Sequence, residues 1–391
     1  MPESPGVYSL IMIYLDYNAT HPPIRSVFEA NWKRYLENPA NPSGISVASQ
    51  KNQSFIDKNR KSMADALGLP SSSVRFASTG TEATYWLVRS FAERGPFKRC
   101  ILSSCEHDAM IAACRDAGLK IEFLPLDASG RTSASDLEDL FNSESLPEEI
   151  AFVSVIHASN ETGVIQPVEQ LSELARARGI PFLSDTIQSA GKIPLPVSSL
   201  DGFLINGHKL GAGAGGSAAI YSQKYIDSIV PLYRGGLQED ETRAGTENLM
   251  AIGCMVDAFL LQLDQMDAKS ERLQKWHESL EQFLESRGVI IAGKTSPRLS
   301  NTSYTIFSGM DHMDFLLMGL DQAGIVCSTG SSCKSRTRQP SRVLLNMGYS
   351  EKESMQALRF SSGLDSSEND FQVLMDTLEP ILKRLMPGAL V

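Results

Sequence analysis

Lys209 ends the run Phe203-Leu204-Ile205-Asn206-Gly207-His208-Lys209, and the glycine-rich stretch Gly211-Ala212-Gly213-Ala214-Gly215-Gly216 follows it. The run reads as a short apolar strand closing in a turn, with permissive backbone beyond. An amine placed there is costly to bury without a task, and one such task is to hold an aldehyde cofactor as a Schiff base. Far downstream, Cys333 stands in Ser328-Thr329-Gly330-Ser331-Ser332-Cys333, a loop of small residues suited to a mobile, exposed thiol. Such a thiol could take sulfur from a bound substrate. A solvated lysine and an inert cysteine also account for the two residues taken singly. Together they specify a reaction.

Other polar residues fall at matching places. Asp185 follows the apolar run Ile180-Pro181-Phe182-Leu183, and a buried carboxylate there could pair with a protonated pyridine nitrogen. It could equally cap a helix. Asn160 follows the run from Ala151 to His157 and could donate to a ring hydroxyl oxygen, as could Gln188 one turn beyond Asp185; a turn residue is the plainer reading of Asn160. Ser78-Thr79-Gly80-Thr81-Glu82 opens a helix, where backbone N–H groups and hydroxyls suit a phosphate or merely cap the helix. His107, after a strand ending near Ser103, could stack on an aromatic cofactor and move protons, or serve as a cap. Arg359, flanked by Leu358 and Phe360, suits bidentate capture of a substrate carboxylate or a structural ion pair.

The elements that must position these residues alternate between Pro70 and Tyr221. Strands are expected at Val74–Ala77, Arg99–Ser103, Ile121–Leu126, Ala151–Ile156, Ile180–Leu183, Phe203–Ile205 and Ala218–Tyr221. Helices lie between several of them, including Thr81–Glu93 and Val168–Arg178, the latter closed by Gly179. Alternation of this kind predicts an α/β fold with a mostly parallel sheet, whose ligands bind beyond the carboxyl ends of the strands. From Asp257 to Arg287 a leucine-rich helical pattern reads as one long connector into a second domain. That domain is expected to hold a strand at Ser303–Phe307, a helix at Met313–Ala323, the Cys333 loop and a last helix at Phe371–Leu385. The expected division is 15–258 for the large domain, with 1–14 and 259–391 forming the small one.

The 391 residues are 42% hydrophobic and 21% charged, an ordinary globular composition. A net charge of -10 argues against direct nucleic-acid binding and against anionic membranes. The run from Val7 to Leu15 is too short to span a bilayer and lacks a basic flank, so no membrane segment or signal peptide is expected. Six widely spaced cysteines form no CxxC pair and read as reduced cytoplasmic thiols.

Leu15-Asp16-Tyr17-Asn18-Ala19-Thr20, Asn41-Pro42-Ser43, Thr81-Glu82, Glu106-His107, Asn160-Glu161-Thr162-Gly163, Asp185 with Gln188-Ser189, Gly207-His208-Lys209, Arg243 to Asn248, Cys333 and Arg359-Phe360-Ser361 occur in one order. This ordered series resembles the cysteine desulfurases, pyridoxal-phosphate enzymes of the class V aminotransferase group. The resemblance runs from about Ile13 to Gly363. It implies fold type I, with a seven-stranded sheet in the large domain and a smaller α+β domain. It also implies roles. Lys209 would hold pyridoxal 5'-phosphate and move protons. Asp185 would pair with the pyridine nitrogen, Asn160 and Gln188 would contact the ring hydroxyl, and His107 would stack on the ring. Gly80, Thr81, His208 and Asn206 would form the phosphate cup. Thr246 would reach the cofactor of the partner subunit in a homodimer. Arg359 and Asn41 would grip the carboxylate of L-cysteine. Cys333 would attack its sulfur, leaving L-alanine and a persulfide for a sulfur-acceptor protein.

The chain departs from the family pattern at several points. His21 stands where a Thr is usual, Ser46 where a His is usual, and Asn206 where a Ser or Thr commonly contacts the phosphate. Ala212-Gly213 replaces the usual Gly-Pro, and Lys334, Arg336, Arg338 and Arg342 make the thiol loop basic. An amide from Asn206 could stand in for the hydroxyl. Two alternatives stay open on these grounds: another pyridoxal-phosphate enzyme such as a selenocysteine lyase, and a non-catalytic sulfur-trafficking scaffold.

Overall fold

The computed structural model describes residues 12–142, 149–213, 215–330 and 339–386. In chain order the elements begin with β1 (Ile13–Tyr14), α1 (Arg25–Glu37), α2 (Val47–Leu67), β2 (Val74–Ala77) and α3 (Gly80–Ala92). Next come β3 (Arg99–Ser103), α4 (Asp108–Asp116), β4 (Lys120–Leu124), α5 (Ala134–Asn142), β5 (Ile150–Ser154) and α6 (Val168–Ala177). Then follow β6 (Phe182–Asp185), β7 (Gly202–Asn206), β8 (Ser217–Tyr221), α7 (Leu249–Asp264) and α8 (Met266–Glu285). The chain closes with β9 (Ile290–Ile291), β10 (Thr302–Ile306), α9 (Met313–Gln322), β11 (Ile325–Val326), α10 (Arg342–Asn346), α11 (Glu351–Met355), β12 (Ala357–Ser361) and α12 (Glu368–Leu385).

The seven expected strands form one sheet in the order β2-β8-β7-β6-β5-β3-β4. β7, β6, β5, β3 and β4 run parallel, while β8 pairs antiparallel with both β7 and β2. The α/β architecture with a mostly parallel seven-stranded sheet is therefore present as expected. Its central strands are buried along their length: β5 as Ile-Ala-Phe-Val-Ser and β8 as Ser-Ala-Ala-Ile-Tyr. Strands covered on both faces read as continuous apolar runs, which is why they were legible.

The expected single connector is instead two helices, α7 and α8, meeting at a 71° bend. Their chemistry differs. α7 buries Ile252, Met255, Val256 and Phe259 against the large sheet, each burial contributing roughly 1.5–3 kcal/mol. α8 is charged on its outer face and gives Leu280 and Leu284 to a separate core with Phe307, Leu316, Phe360 and Phe371. That second core sits beside the antiparallel sheet β12-β10-β9 and the parallel pair β1-β11. No single helix among the described residues is long and apolar enough to cross a membrane.

Local signals set the helix ends. Ser46, the departure from a histidine, caps α2 by accepting from Ser49 N at 3.1 Å, and Gly68 at φ 67° ends that helix. Capping boxes start α11 at Ser350 with Glu353 and α12 at Ser367 with Asp370.

Candidate active site

Four of the candidate residues lie at or just beyond the carboxyl ends of parallel strands. β6 ends at Asp185, and Lys209 lies in the 3-10 turn Gly207–Lys209 that follows β7. Asn160 follows β5, and His107 follows β3. β2, at the antiparallel edge, leads directly into the first turn of α3. These ends converge on a cavity of about 320 Å³ lined by Asn18, Ser78, Thr79, Gly80, Thr81, His107, Asn160, Asp185, Gln188, Asn206, His208 and Lys209, among others. The fold thus gathers residues more than a hundred positions apart.

One end of the cavity is built for an anion. Thr79 caps α3 by accepting from Glu82 N, and the helix's first turn presents backbone N–H groups. Gly80 is required here because a Cβ would lie 2.6 Å from Asn206 Nδ2. The Asn206 carbonyl oxygen accepts from His208 N at 3.0 Å, so its amide nitrogen lies on the Gly80 side. This supports the expected exchange of a hydroxyl for an amide donor. His208 Nε2 meets Thr20 Oγ1 at 3.1 Å; burial, then the Lys209 charge, lowers its pKa and keeps the imidazole neutral.

The other end carries the carboxylate. Asp185 is 5% exposed, and Oδ1 accepts from Ile187 N at 2.9 Å. Burial raises its pKa, against the pull of His107 and Lys209. His107 is also the N-cap of α4, with Nδ1 accepting from Ala109 N at 3.1 Å; the proton of a neutral ring is therefore on Nε2. Lys209 Nζ donates to Ala19 O, bringing the amine to the loop that follows β1. Gln188 Nε2 donates to Asn18 O at 2.9 Å.

Arg359 is fully buried and stands behind Asn160. Its Nη1 donates to Asn160 O at 2.8 Å and Gly330 O at 3.1 Å, and Nη2 pairs with Asp16 at 2.7 Å. Its Nε is a buried donor with no partner among the described atoms. Asn41 and Thr246 are not brought into the cavity of their own chain. Asn41 is exposed, with Oδ1 closing a turn onto Ser43 N, and Thr246 lines a separate hollow with Ser78, Gly216 and Arg243.

Cys333 lies outside the described residues, as do Lys334, Arg336 and Arg338. The chain on either side of that segment is anchored beside Arg359. Tyr304 OH donates to Thr329 O at 3.2 Å and to Glu161 at 3.3 Å, and Glu161 also accepts from Ser341. Arg342 does not serve the thiol loop as a free cation. Its guanidinium donates to Ser104 O at 2.6 Å and to Glu106 O, and pairs with Asp108 at 3.6 Å. Burial pushes the Cys105 and Cys327 thiols up to about 12 and Cys254 up to about 11, so none of these three is a thiolate near neutral pH.

Glu106 acquires a role that its motif alone did not reveal. It is buried beside Asp185, and burial followed by repulsion from that carboxylate raises its pKa from 4.5 to about 8. Ser103 and Ser154 donate to Oε1 at 3.2 and 3.4 Å. A group favoured as the neutral acid supports folding fully below about pH 4.5, and that support is lost as pH rises through about 8. The cost at high pH is on the order of 5 kcal/mol. Denaturant titrations of the apoprotein should therefore show stability falling between pH 5 and 8, and Glu106→Gln should flatten that fall. An unchanged slope in the variant would assign the dependence elsewhere.

A buried carboxylate, an amine, amide donors and a helix N-terminus around one cavity fit pyridoxal phosphate in the chemistry of each donor. The sequence profile described as Aminotransferase class-V matches residues 13–374. The cysteine desulfurase IscS of Dictyoglomus turgidum is 34% identical over 95% of both chains, and that of Methanosarcina thermophila is 32% identical over 95% of this chain and 92% of its own. The solved NifS-like protein of Rickettsia africae superposes with a TM-score of 0.85 at 29% identity, over 95% of this chain and 99% of that one. With the family's cofactor chemistry met by the cavity and its sequence matched from end to end, the chain belongs to the class-V aminotransferases, and within them to the pyridoxal-phosphate-dependent cysteine desulfurases.

Proposed function

We propose that Lys209, Asp185 and His107 run the chemistry of this desulfurase on L-cysteine and that Cys333 receives the sulfur for delivery to an acceptor protein. Pyridoxal phosphate supplies an electron sink for the substrate's α-carbon when bound. Asp185 would hold the proton of the pyridine nitrogen, with the neutral Glu106 behind it leaving one negative charge rather than two. Lys209 Nζ would take and return the proton at the α-carbon. The phosphate would sit at the α3 N-terminus with Gly80, Thr81, His208 and Asn206. The unpartnered Nε of Arg359 supports a substrate carboxylate beside Asn160, since that acceptor would satisfy it. The observation that carries the reading is the convergence of Lys209 and Asp185 on one cavity, with Thr329 and Ser341, on either side of the Cys333 segment, held by Tyr304 and by Glu161, the neighbour of the cavity residue Asn160.

A homodimer completes the proposal. α1 and the turns near it expose Trp32, Leu36, Ile45 and Val47, and Leu237 is 78% exposed, an apolar set that a second copy would cover. Thr246 and Asn41, outside their own chain's cavity, would serve the partner's. Sedimentation should give twice the chain mass, and Trp32→Glu with Leu237→Glu should shift it to the monomer. The described cysteines are all free thiols, in keeping with a reducing cytoplasmic setting.

The reading is tested by incubating the purified holoprotein with L-cysteine and no reductant. Alanine should appear in step with a persulfide that mass spectrometry places on Cys333. A persulfide on another cysteine, or alanine formed without any, would overturn the role given to Cys333. A parallel assay with selenocysteine separates a lyase preference.

A further inference from the structure

Lys192 is a second lysine near Lys209, half-buried with its amine enclosed, and the reaction as described does not use it. It lies one helical turn past Gln188, in the segment after β6. Its Nζ donates to Asn18 Oδ1 and to Gln188 Oε1, each at 3.0 Å. Both acceptors line the cofactor cavity. The charged groups that act on Lys192 are Lys269, Lys209 and Arg359, all cations, and burial is the larger effect; together they push its pKa well below the usual lysine value. A neutral amine has two N–H groups, and these two bonds use both. His21, the departure from the family pattern, lies in the same region as a neutral ring: Nδ1 donates to Pro22 O at 2.7 Å, and burial lowers its pKa to about 4. Lys269 is spent on Gly191 O at 2.7 Å and on Gln262.

The consequence concerns Gln188. An amide side chain can present either its oxygen or its nitrogen to a ligand, and the choice follows from its other partners. Both N–H groups of Lys192 are used as donors, one of them to the Gln188 oxygen at 3.0 Å, and Asn18 O on the other side of the amide can only accept. The nitrogen must then face Asn18 O, where it donates at 2.9 Å, with its second hydrogen left for an acceptor in the cavity. We propose that Lys192 is a positioning residue whose hydrogen bonds fix the amide of Gln188 and so determine that Gln188 offers the cofactor ring oxygen a donor. A buried amine among cations is costly, and this orienting task offsets the cost with a gain in the polarity of the site. Asn18 is fixed by the same contact: its oxygen accepts from Lys192 and from Asn301 at 3.2 Å, while its nitrogen donates to Thr302 at 2.9 Å.

The inference rests on the reading of Gln188 as a ring-oxygen contact, and the experiment separates the two. Holoenzymes of wild type, Gln188→Ala, Lys192→Met and the double variant are compared by the visible absorption maximum of the bound cofactor and by cofactor dissociation constant. Lys192→Met should shift the maximum in the same direction as Gln188→Ala and weaken cofactor binding about tenfold. The double variant should show no further shift, because both changes remove one interaction. If Gln188→Ala leaves spectrum and affinity unchanged, the ring contact falls and the proposal with it. If Gln188→Ala shifts them but Lys192→Met does not, or if the two effects add in full, only the role of Lys192 is overturned. Should Lys192→Met fail to fold, Lys192→Gln is read in its place, since its amide keeps a donor and should retain most of the wild-type spectrum.

Discussion

Replacing Lys209 with alanine is expected to remove the visible absorption of the covalently held cofactor and to lower alanine production from L-cysteine by at least about a thousandfold. General acid–base assistance contributes typically 10²–10⁴-fold, and loss of the covalent attachment acts on the same residue. Among the described residues, no other lysine lines the cavity. Gly207 has no room for a side chain, since a Cβ would lie 3.0 Å from both Ala212 and Met255, and its carbonyl accepts from Leu210 N and Ala212 N. The turn therefore delivers one amine, that of position 209, to the cavity, beside the imidazole of His208. The neighbouring lysines are engaged elsewhere, Lys192 by Asn18 and Gln188 and Lys269 by Gly191 and Gln262. The variant loses the hydrogen bond from the Lys209 amine to Ala19 O. It should still bind pyridoxal phosphate weakly through the α3 end. Turnover within tenfold of wild type would refute the assignment of the amine.

Arg359→Met is expected to destabilise the protein by about 3–5 kcal/mol as well as to impair catalysis. The guanidinium is fully buried and joins three parts of the chain: Asp16, Asn160 and Gly330. Removing it strands the Asp16 carboxylate, whose pKa burial already raises against the pull of Arg359. Two carbonyls also lose their donor. Denaturant midpoints should fall accordingly, and Asp16→Asn in the same background should recover part of the loss by removing the stranded charge. The catalytic effect should appear chiefly as a raised KM for L-cysteine, with the cofactor spectrum retained. A variant of wild-type stability would mean that the pair with Asp16 contributes nothing net. An unchanged KM would remove Arg359 from substrate binding.

Much of the sheet was legible because buried parallel strands are apolar throughout, and their polar successors stand out at once. Asp185, Asn160 and His107 follow such runs, and Lys209 closes one. Gln188 and the Ser78–Glu82 turn were legible for a related reason, lying within a turn of a strand end. Arg359 was recognised as a cation flanked by apolar residues, but its partners were not, since Asp16 lies 343 positions away. The break between α7 and α8 was invisible to periodicity. Both segments are helical and leucine-rich, and only the two different cores that they face require a 71° turn.

By itself the sequence determined the element types and, through an ordered series of motifs that resembles one family, the reaction, because strand polarity is a local property and motif order survives without the fold. The tertiary structure decided what those groups are in place. Burial beside Asp185 makes Glu106 a neutral acid, enclosure among cations makes Lys192 an orienting amine, and the pairing with Asp16 gives Arg359 a structural task. Each outcome depends on desolvation and on neighbours distant in the chain, which act only once the strand ends have been brought to one cavity.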